Sequence, residues 1–496
     1  MELQFGSNSY GCMRRMPMEA ANQELTQEVR LSEGMPDIGR VLCSWAQVIL
    51  RSKEWMADTV TISGGVMVWI LYAPEDGSQP RCMDTWIPYQ LRWNSMEPGQ
   101  EGPLHIMPLL RFVDSRTVSP RKFMVRTGVA AVAEAFRNDS FEIFAPAELP
   151  DDIQVNKRTY PVRLLKEAGE KMFQVEEDLP FPDAVPEKII CYHTRPSMTE
   201  VRVLNNRIVF RGRCNLHVVY QCQEGRLCVQ DFELPYSQYA DLKDSYSSDA
   251  GARVQMVVTN LELNLNTDSI RVKCALVGQY LIDDRFLVEL VEDAYSNRRE
   301  VSLKNQVLHL PAVLERRKES VPVSVHMNGV TGEVVDVFEL ADKAIQRTRD
   351  QGVVIENAGI SQILYRDESG SLQSALGHWE VSKGLPADET CSVQTKVYPE
   401  GRFQPISGTE GVELRGQVEF AMETMSTSGM DMVTGMEIGE VRKEDSGRPS
   451  LVLRQLDGYT LWELAKNCGS TRDLICQVNE IQDDAKIDGL VLIPVE

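Results

Sequence analysis

VTISGGVMVWILYAPEDG, from Val60 to Gly77, sets the pattern on which the fold of this chain is read. Counting back from Tyr72 in twos gives Ile70, Val68, Val66, Gly64 and Ile62, a mainly apolar series that lays one face of a β-strand on a core. The polar tract that follows ends in Gly77 and predicts a tight hairpin turn. The pattern returns as IVFRGRCNLHVVYQCQEG from Ile208 and, more weakly, as VVIENAGISQILYRDESG from Val353, in each case without a gap. Its tyrosines, Tyr72, Tyr220 and Tyr365, lie 148 and 145 residues apart, and each is followed five residues later by Gly77, Gly225 or Gly370. A period of that size marks repeated domains, since solenoid repeats are much shorter.

Beyond each turn the chain returns through TWIPYQ (Thr85 to Gln90), DFELPYSQY (Asp231 to Tyr239) and GHWEVSKGLP (Gly377 to Pro386). Two returns share Pro-Tyr, at Pro88-Tyr89 and Pro235-Tyr236, where a strand end tolerates proline. Further strands are expected over Ala252 to Asn266, over Ser269 to Ile282, and in CSVQTKVY and VELRGQVEFAM of the third copy. The reading is multidomain: an N-terminal tail over 1–34, then three mainly antiparallel β domains over 35–160, 189–310 and 320–440. LLKEAGEKMF (Leu164 to Phe173) reads as a helix, and EEDLPFPDAVPEK (Glu176 to Lys188) as a proline-punctuated linker, so 161–188 is a connecting segment. VRKEDSGRPS forms a second linker over 441–450, ahead of a small α+β domain over 451–496.

With 73 acidic against 52 basic residues the chain carries a formal net charge of -21. Such a surface repels phosphate backbones and anionic headgroups, which argues against nucleic acid and bare membrane as partners. The first thirty residues contain no apolar h-region, and the strongest apolar run, near Val66 to Tyr72, is too short to span a bilayer, so the expected address is the cytoplasm. Eleven scattered cysteines with no C-x-x-C pair predict reduced thiols. The best metal set is Cys214, Cys222 and Cys228 with His217, but His217 lies at odd parity from Cys214 and so on the opposite sheet face; buried apolar cysteines are the better account. The motifs H-E-x-x-H, G-x-S-x-G, the Walker loop and a G-x-G-x-x-G after a strand are all missing, so neither catalytic residues nor a cofactor or metal is expected. Adjacent carboxylates at Asp283-Asp284 and Glu292-Asp293 point to opposite faces of a strand and read as a solvated acidic edge.

The last 46 residues, LVLRQLDGYTLWELAKNCGSTRDLICQVNEIQDDAKIDGLVLIPVE, read as strand, helix, helix, strand. Thr460 and Glu463 form a capping box, Leu461, Leu464 and Ala465 recur at helical spacing, and Gly469 caps the end. Ser470 to Asp473 repeats the capping logic for a second helix with Leu474, Ile475 and Val478 inward, and LVLIP from Leu490 closes the sheet. GYTLWELAKNCGSTRDLICQVNEI and IDGLVLIP resemble a LysM domain over its whole length. The resemblance implies a binding surface on the turn before the first helix (Asp457 to Thr460) and the loop after the second (Asn479 to Ile487). Its candidate residues are Gly458, Tyr459, Thr460, Trp462, Asn479, Glu480, Ile481 and Asp484. LysM domains commonly bind N-acetylglucosamine polymers there. This module departs from the pattern with Tyr459 where aspartate is frequent, and it holds four basic against eight acidic residues, a balance suited to a basic protein surface. Trp462 is either an aromatic contact for the partner or a residue packed beside its helix.

Repeated β domains with this Tyr and Gly pattern, followed by a LysM module, resemble the SPOCS-domain spore coat family over about Gly39 to Glu496. The resemblance implies a non-enzymatic assembly factor made in the mother cell, which binds a coat ATPase of the SpoIVA type through the LysM module and acts at the forespore surface. The alternative is a peptidoglycan-binding or chitin-binding LysM protein.

Overall fold

Period-two alternation becomes strand almost everywhere in the computed structural model, which describes all residues except 1, 18–19, 57–58, 95–101, 147, 183, 350–351, 387–389, 409–410, 443–448, 456–458, 482–488 and 496. A first unit contains β1 (Glu2–Pro17), β2 (Ala21–Arg30), β3 (Ile38–Met56), β4 (Thr59–Pro74), β5 (Arg81–Asn94), β6 (Leu104–Ser119) and β7 (Lys122–Pro146). A second contains β8 (Ile153–Pro180), β9 (Pro186–Leu204), β10 (Arg207–Cys222), β11 (Leu227–Asp241), β12 (Gly251–Leu265) and β13 (Ser269–Ser296). The third contains β14 (Arg299–His309), β15 (Val313–Asn328), β16 (Glu333–Ala341), β17 (Ile345–Arg349), β18 (Gly352–Arg366), β19 (Leu372–Leu385), β20 (Cys391–Ser407), β21 (Gly411–Ser426) and β22 (Gly429–Val441). Strand pairing among the described residues is antiparallel throughout.

One connectivity occurs three times. An opening strand (β2, β8, β15) leads into a meander (β3-β4-β5, β9-β10-β11, and β16 with β17, β18, β19). A hairpin follows (β6-β7, β12-β13, β20-β21), and its second strand pairs back onto the opening strand. The two sheets of each unit share one apolar core, as where Phe210 and Leu216 of β10 meet Ile270 and Leu276 of β13. Tyr72, Tyr220 and Tyr365 lie near the ends of the central meander strands β4, β10 and β18. Gly77, Gly225 and Gly370 take φ of 74°, 79° and 83°, the left-handed conformation that the turn requires.

A second signature sits across each meander. Gly64 and Gly212 stand opposite Tyr89 and Tyr236, whose hydroxyls donate across the glycine to the carbonyls of Ile49 (3.1 Å) and Ser197 (2.8 Å) on the far strand. A Cβ on either glycine would strike both that carbonyl and the ring. In the third unit Trp379 covers Gly359, two residues nearer the turn, which explains why the ungapped pattern is weakest there. Pro88 and Pro235 lie within β5 and β11 and not at their ends; both strands are sheet edges, where a missing N–H costs no ladder bond.

Three readings are corrected. Residues 1–34 are no tail: β1 and β2 pair with β7 along nearly its whole length. Leu164 to Phe173 is no helix but the middle of the 28-residue strand β8, zipped to β13. Its Leu, Lys, Glu and Ala content favours helix locally, but burial alternates from Phe173 to Leu179, and pairing with β13 overrides propensity. The strands of the third unit begin at Arg299, well ahead of residue 320.

These long strands build the centre of the molecule. β7 with β1, β13 with β8, and β22 with β14 continue past the sandwiches as two-stranded ribbons. The three ribbons bury a common core, including Cys12 and Phe141, Leu164 and Val288, Leu308 and Met432, in a shared stem. Where the ribbons leave the sandwiches, Glu134, Asp283 and Glu423 are buried, one from each unit. Arg15 reaches Glu423 at 2.6 Å, Arg253 and Lys396 reach Glu134 at 2.8 and 2.9 Å, Arg163 lies 3.1 Å from Asp283, and Arg316 bridges Asp283 and Glu423. Burial opposes ionisation of Glu134, yet Arg253, Lys396 and Arg15 hold its carboxyl well below the usual range. Burial pushes the Lys396 ammonium down to about 8, with Arg253 adding repulsion. The solvated reading of Asp283 is therefore overturned; it is fully enclosed because cations from β8 and β15 neutralise it.

A second polar centre joins the meanders. Asp336 accepts from the Trp45 indole (2.7 Å), from His217 (3.0 Å) and from Arg402 (2.6 Å), which also meets Asp231, the other partner of His217. Trp45, His193 and Phe338 occupy matching positions of the first meander strands, and the His193 ring packs on both His217 and Phe338.

Candidate interaction site

The chain after the third unit continues as β23 (Leu451–Gln455), α1 (Leu461–Cys468), α2 (Arg472–Asn479) and β24 (Leu490–Pro494), with β23 and β24 paired. Thr460 caps α1: its hydroxyl accepts from the Glu463 N–H (3.2 Å), while the Glu463 carboxylate accepts from the Thr460 N–H (2.8 Å). That backbone bond and the Thr460 hydroxyl hold Glu463 below its ordinary pKa. Gly469 ends the helix at φ 67°. The second cap is Thr471, one residue later than Ser470, because Ser470 is buried and its carbonyl accepts from the Tyr295 hydroxyl at 2.8 Å. Leu461, Leu464, Ala465 and Ile475 face Val491 and Ile493 in a small core, whereas Val478 is exposed, against expectation.

Of the candidate binding residues, Gly458 and Asp484 lie outside the described residues. Tyr459 is 53% exposed, the one large aromatic that the first turn offers to solvent among the described residues. Thr460 is engaged in its capping box. Asn479 donates to the carbonyls of Ile475 (2.8 Å) and Leu492 (2.7 Å) and accepts from the Leu492 N–H (2.9 Å), so its amide ties α2 to β24. Glu480 is exposed in the left-handed conformation that ends α2, and Ile481 packs half-buried against the core.

Trp462 points toward the body of the protein. Its indole N–H donates to Asp293 of β13 at 2.8 Å, its ring meets Tyr295 edge-on at 4.8 Å, and only 8% of the residue is exposed. Lys466, one turn on, closes a 2.7 Å ion pair with the same Asp293 carboxylate. The module is thus docked on the end of β13, one of the two 28-residue strands of the second unit, and Asp293 and Tyr295 are the residues that sequence reading missed. Glu292-Asp293 was legible only as an acidic edge; the structure sends Glu292 to the Tyr160 hydroxyl and Asp293 to the module.

The cysteine candidates separate as parity requires. Cys214 faces into the second sandwich with Cys274, and His217 points out of the opposite face toward Asp231 and Asp336. Among the described residues no group of three His, Cys, Asp or Glu has a metal-binding arrangement, and no helix is long and apolar enough to cross a membrane.

Comparison with known proteins adds a family. Residues 186–266 match the family model described as SipL, SPOCS domain, a span running from the start of β9 through β12. No curated protein and no solved structure matches the chain. The matched span is the second unit's meander, with the Tyr220 turn, the Gly212–Tyr236 crossing and the first strand of the hairpin that follows, so this part of the second unit is similar to the SPOCS domain of the spore coat family.

Proposed function

We propose that this protein is a non-enzymatic assembly factor of the spore coat, acting from the mother-cell cytoplasm at the forespore surface. Its C-terminal module, read as a LysM domain, docks onto a coat protein such as a SpoIVA-like ATPase. The observation that carries this reading is the anchoring of Trp462 and Lys466 on Asp293, which fixes the module on the stem while leaving Tyr459 and Glu480 exposed. A module held rigidly offers a partner a preorganised surface and reduces the ordering cost of binding. The three interlocked units suit a scaffold, since buried charge pairs between units favour one arrangement over many.

Affinity capture tests the proposal. Full-length protein, the Tyr459→Ala variant and a chain ending at residue 450 are each mixed with the purified ATPase and, separately, with chitin oligomers. Binding of the ATPase that falls with Tyr459→Ala and vanishes without the module supports the reading. Oligosaccharide binding with no ATPase binding would replace it with the glycan reading.

A further inference from the structure

β23 and β24 carry apolar side chains on both faces, with Arg454 and Gln455 confined to the end of β23, and among the described residues only one face is covered. Val452, Val491 and Ile493 turn toward the helices, whereas Leu451, Leu453, Leu490 and Leu492 alternate on the outer face and are 51%, 56%, 67% and 37% exposed. Runs such as LVL and LVLI are what strands covered on both sides look like; a sheet with one wet face puts polar residues there. The register brings the leucines together, Leu453 directly opposite Leu492. Nothing in the Tyr459 turn requires them.

We infer that this outer leucine face is a second docking surface, whose occupant is an amphipathic, basic helix of a partner protein. The dimensions select the occupant. Two five-residue strands make a face roughly 17 Å long and, with side chains, about 10 Å wide. A helix is about 10 Å across and covers 17 Å in roughly 11 residues, so one three-turn apolar stripe fills it. A second copy of this chain meeting it through this face alone would bury far less than the ~800 Å² per partner that a stable dimer needs. Charge selects the chemistry: a chain of net charge -21 attracts a helix whose polar side carries Lys or Arg and repels an acidic one. The inference goes beyond the function proposed above and would stand even if the Tyr459 turn bound a glycan.

The test uses fluorescence anisotropy on the full chain with a labelled 14-residue peptide of leucine and lysine at helical spacing. A scrambled peptide and a leucine-glutamate peptide serve as comparisons. The neutral double variants Leu453→Gln/Leu490→Gln and Leu451→Gln/Leu492→Gln remove the apolar face without changing charge. The expected result is that both variants keep their circular dichroism and melting temperature but bind the basic peptide about tenfold or more weakly, the scale expected for losing central apolar anchors. The scrambled and acidic peptides should bind no better than those variants. Undiminished binding by the variants, or equal binding of the scrambled peptide, would mean only attraction to an acidic surface and would overturn the inference. So would sedimentation showing that the native chain dimerises and the variants do not, or unfolding of the module in both variants, which would make the leucines core residues.

Discussion

Asp293 accepts from both the Trp462 indole and the Lys466 ammonium, so with Tyr295 it holds the C-terminal module on β13. Asp293→Ala is expected to weaken docking by about 1.5 kcal/mol through the lost charged hydrogen bond, with the partly exposed Lys466 pair adding little. A red shift of Trp462 emission, without loss of helical circular dichroism, checks it. Within the module, Tyr459→Ala should cost about 2 kcal/mol of partner binding and leave the fold intact, whereas Leu464→Ala, 5% exposed in the small core, should cost about 2 kcal/mol or more of stability and unfold it. Isothermal titration and circular dichroism on the two variants separate these outcomes. The role of Trp462 could not be read from its spacing, because an indole at that position serves a partner or the protein's own body equally well. The choice depends on where Asp293 and Tyr295 arrive, more than 150 residues away in sequence.

At the scale of the element, the meander of each unit depends on an aromatic ring crossing a glycine. Gly212→Ala is expected to destabilise the second unit by about 1–3 kcal/mol, because the added Cβ must displace the Ser197 carbonyl or the Tyr236 ring. A lowered unfolding midpoint for Gly212→Ala, set beside an unaffected Gly384→Ala, whose Cβ meets open space, measures it. The turn glycines and the apolar alternation of β4 and β10 were legible because hairpins and half-buried strands impose local rules. β8 was not, since its LLKEAGEKMF segment satisfies helical preferences and becomes strand only through pairing with β13. β2, polar at seven of its ten positions, likewise owes its strand state to β7.

Across the whole molecule, two buried polar centres lock three units together. Asp283→Asn should cost roughly 3–5 kcal/mol, because it leaves the Arg163 guanidinium without its buried carboxylate and Arg316 with Glu423 alone; denaturant unfolding would show it, with more than one transition if the units separate. The meander centre makes stability depend on pH. Burial, His217, Arg195 and Arg402 hold His193 well below its ordinary 6.5, so acidification below that value protonates the unfolded chain first and stability falls. Burial also opposes the His217 imidazolium, but Asp336 and Asp231 outweigh it and raise its pKa. The His217 contribution is complete below pH 6.5 and is lost as pH rises through the raised value. Melting temperatures between pH 5 and 8 should therefore fall less on the acid side in His193→Phe, and less on the alkaline side in His217→Gln, than in the native chain. By itself the sequence determined the threefold strand repeat, its turns and the strand-helix-helix-strand order of the last residues, because periodicity, glycine placement and capping act over a few residues. Only the tertiary structure decided that the ribbons form one stem, that Asp283 is buried and that Trp462 faces inward. Those outcomes rest on charges and rings brought together from strands far apart in the chain, whose meeting no local pattern records.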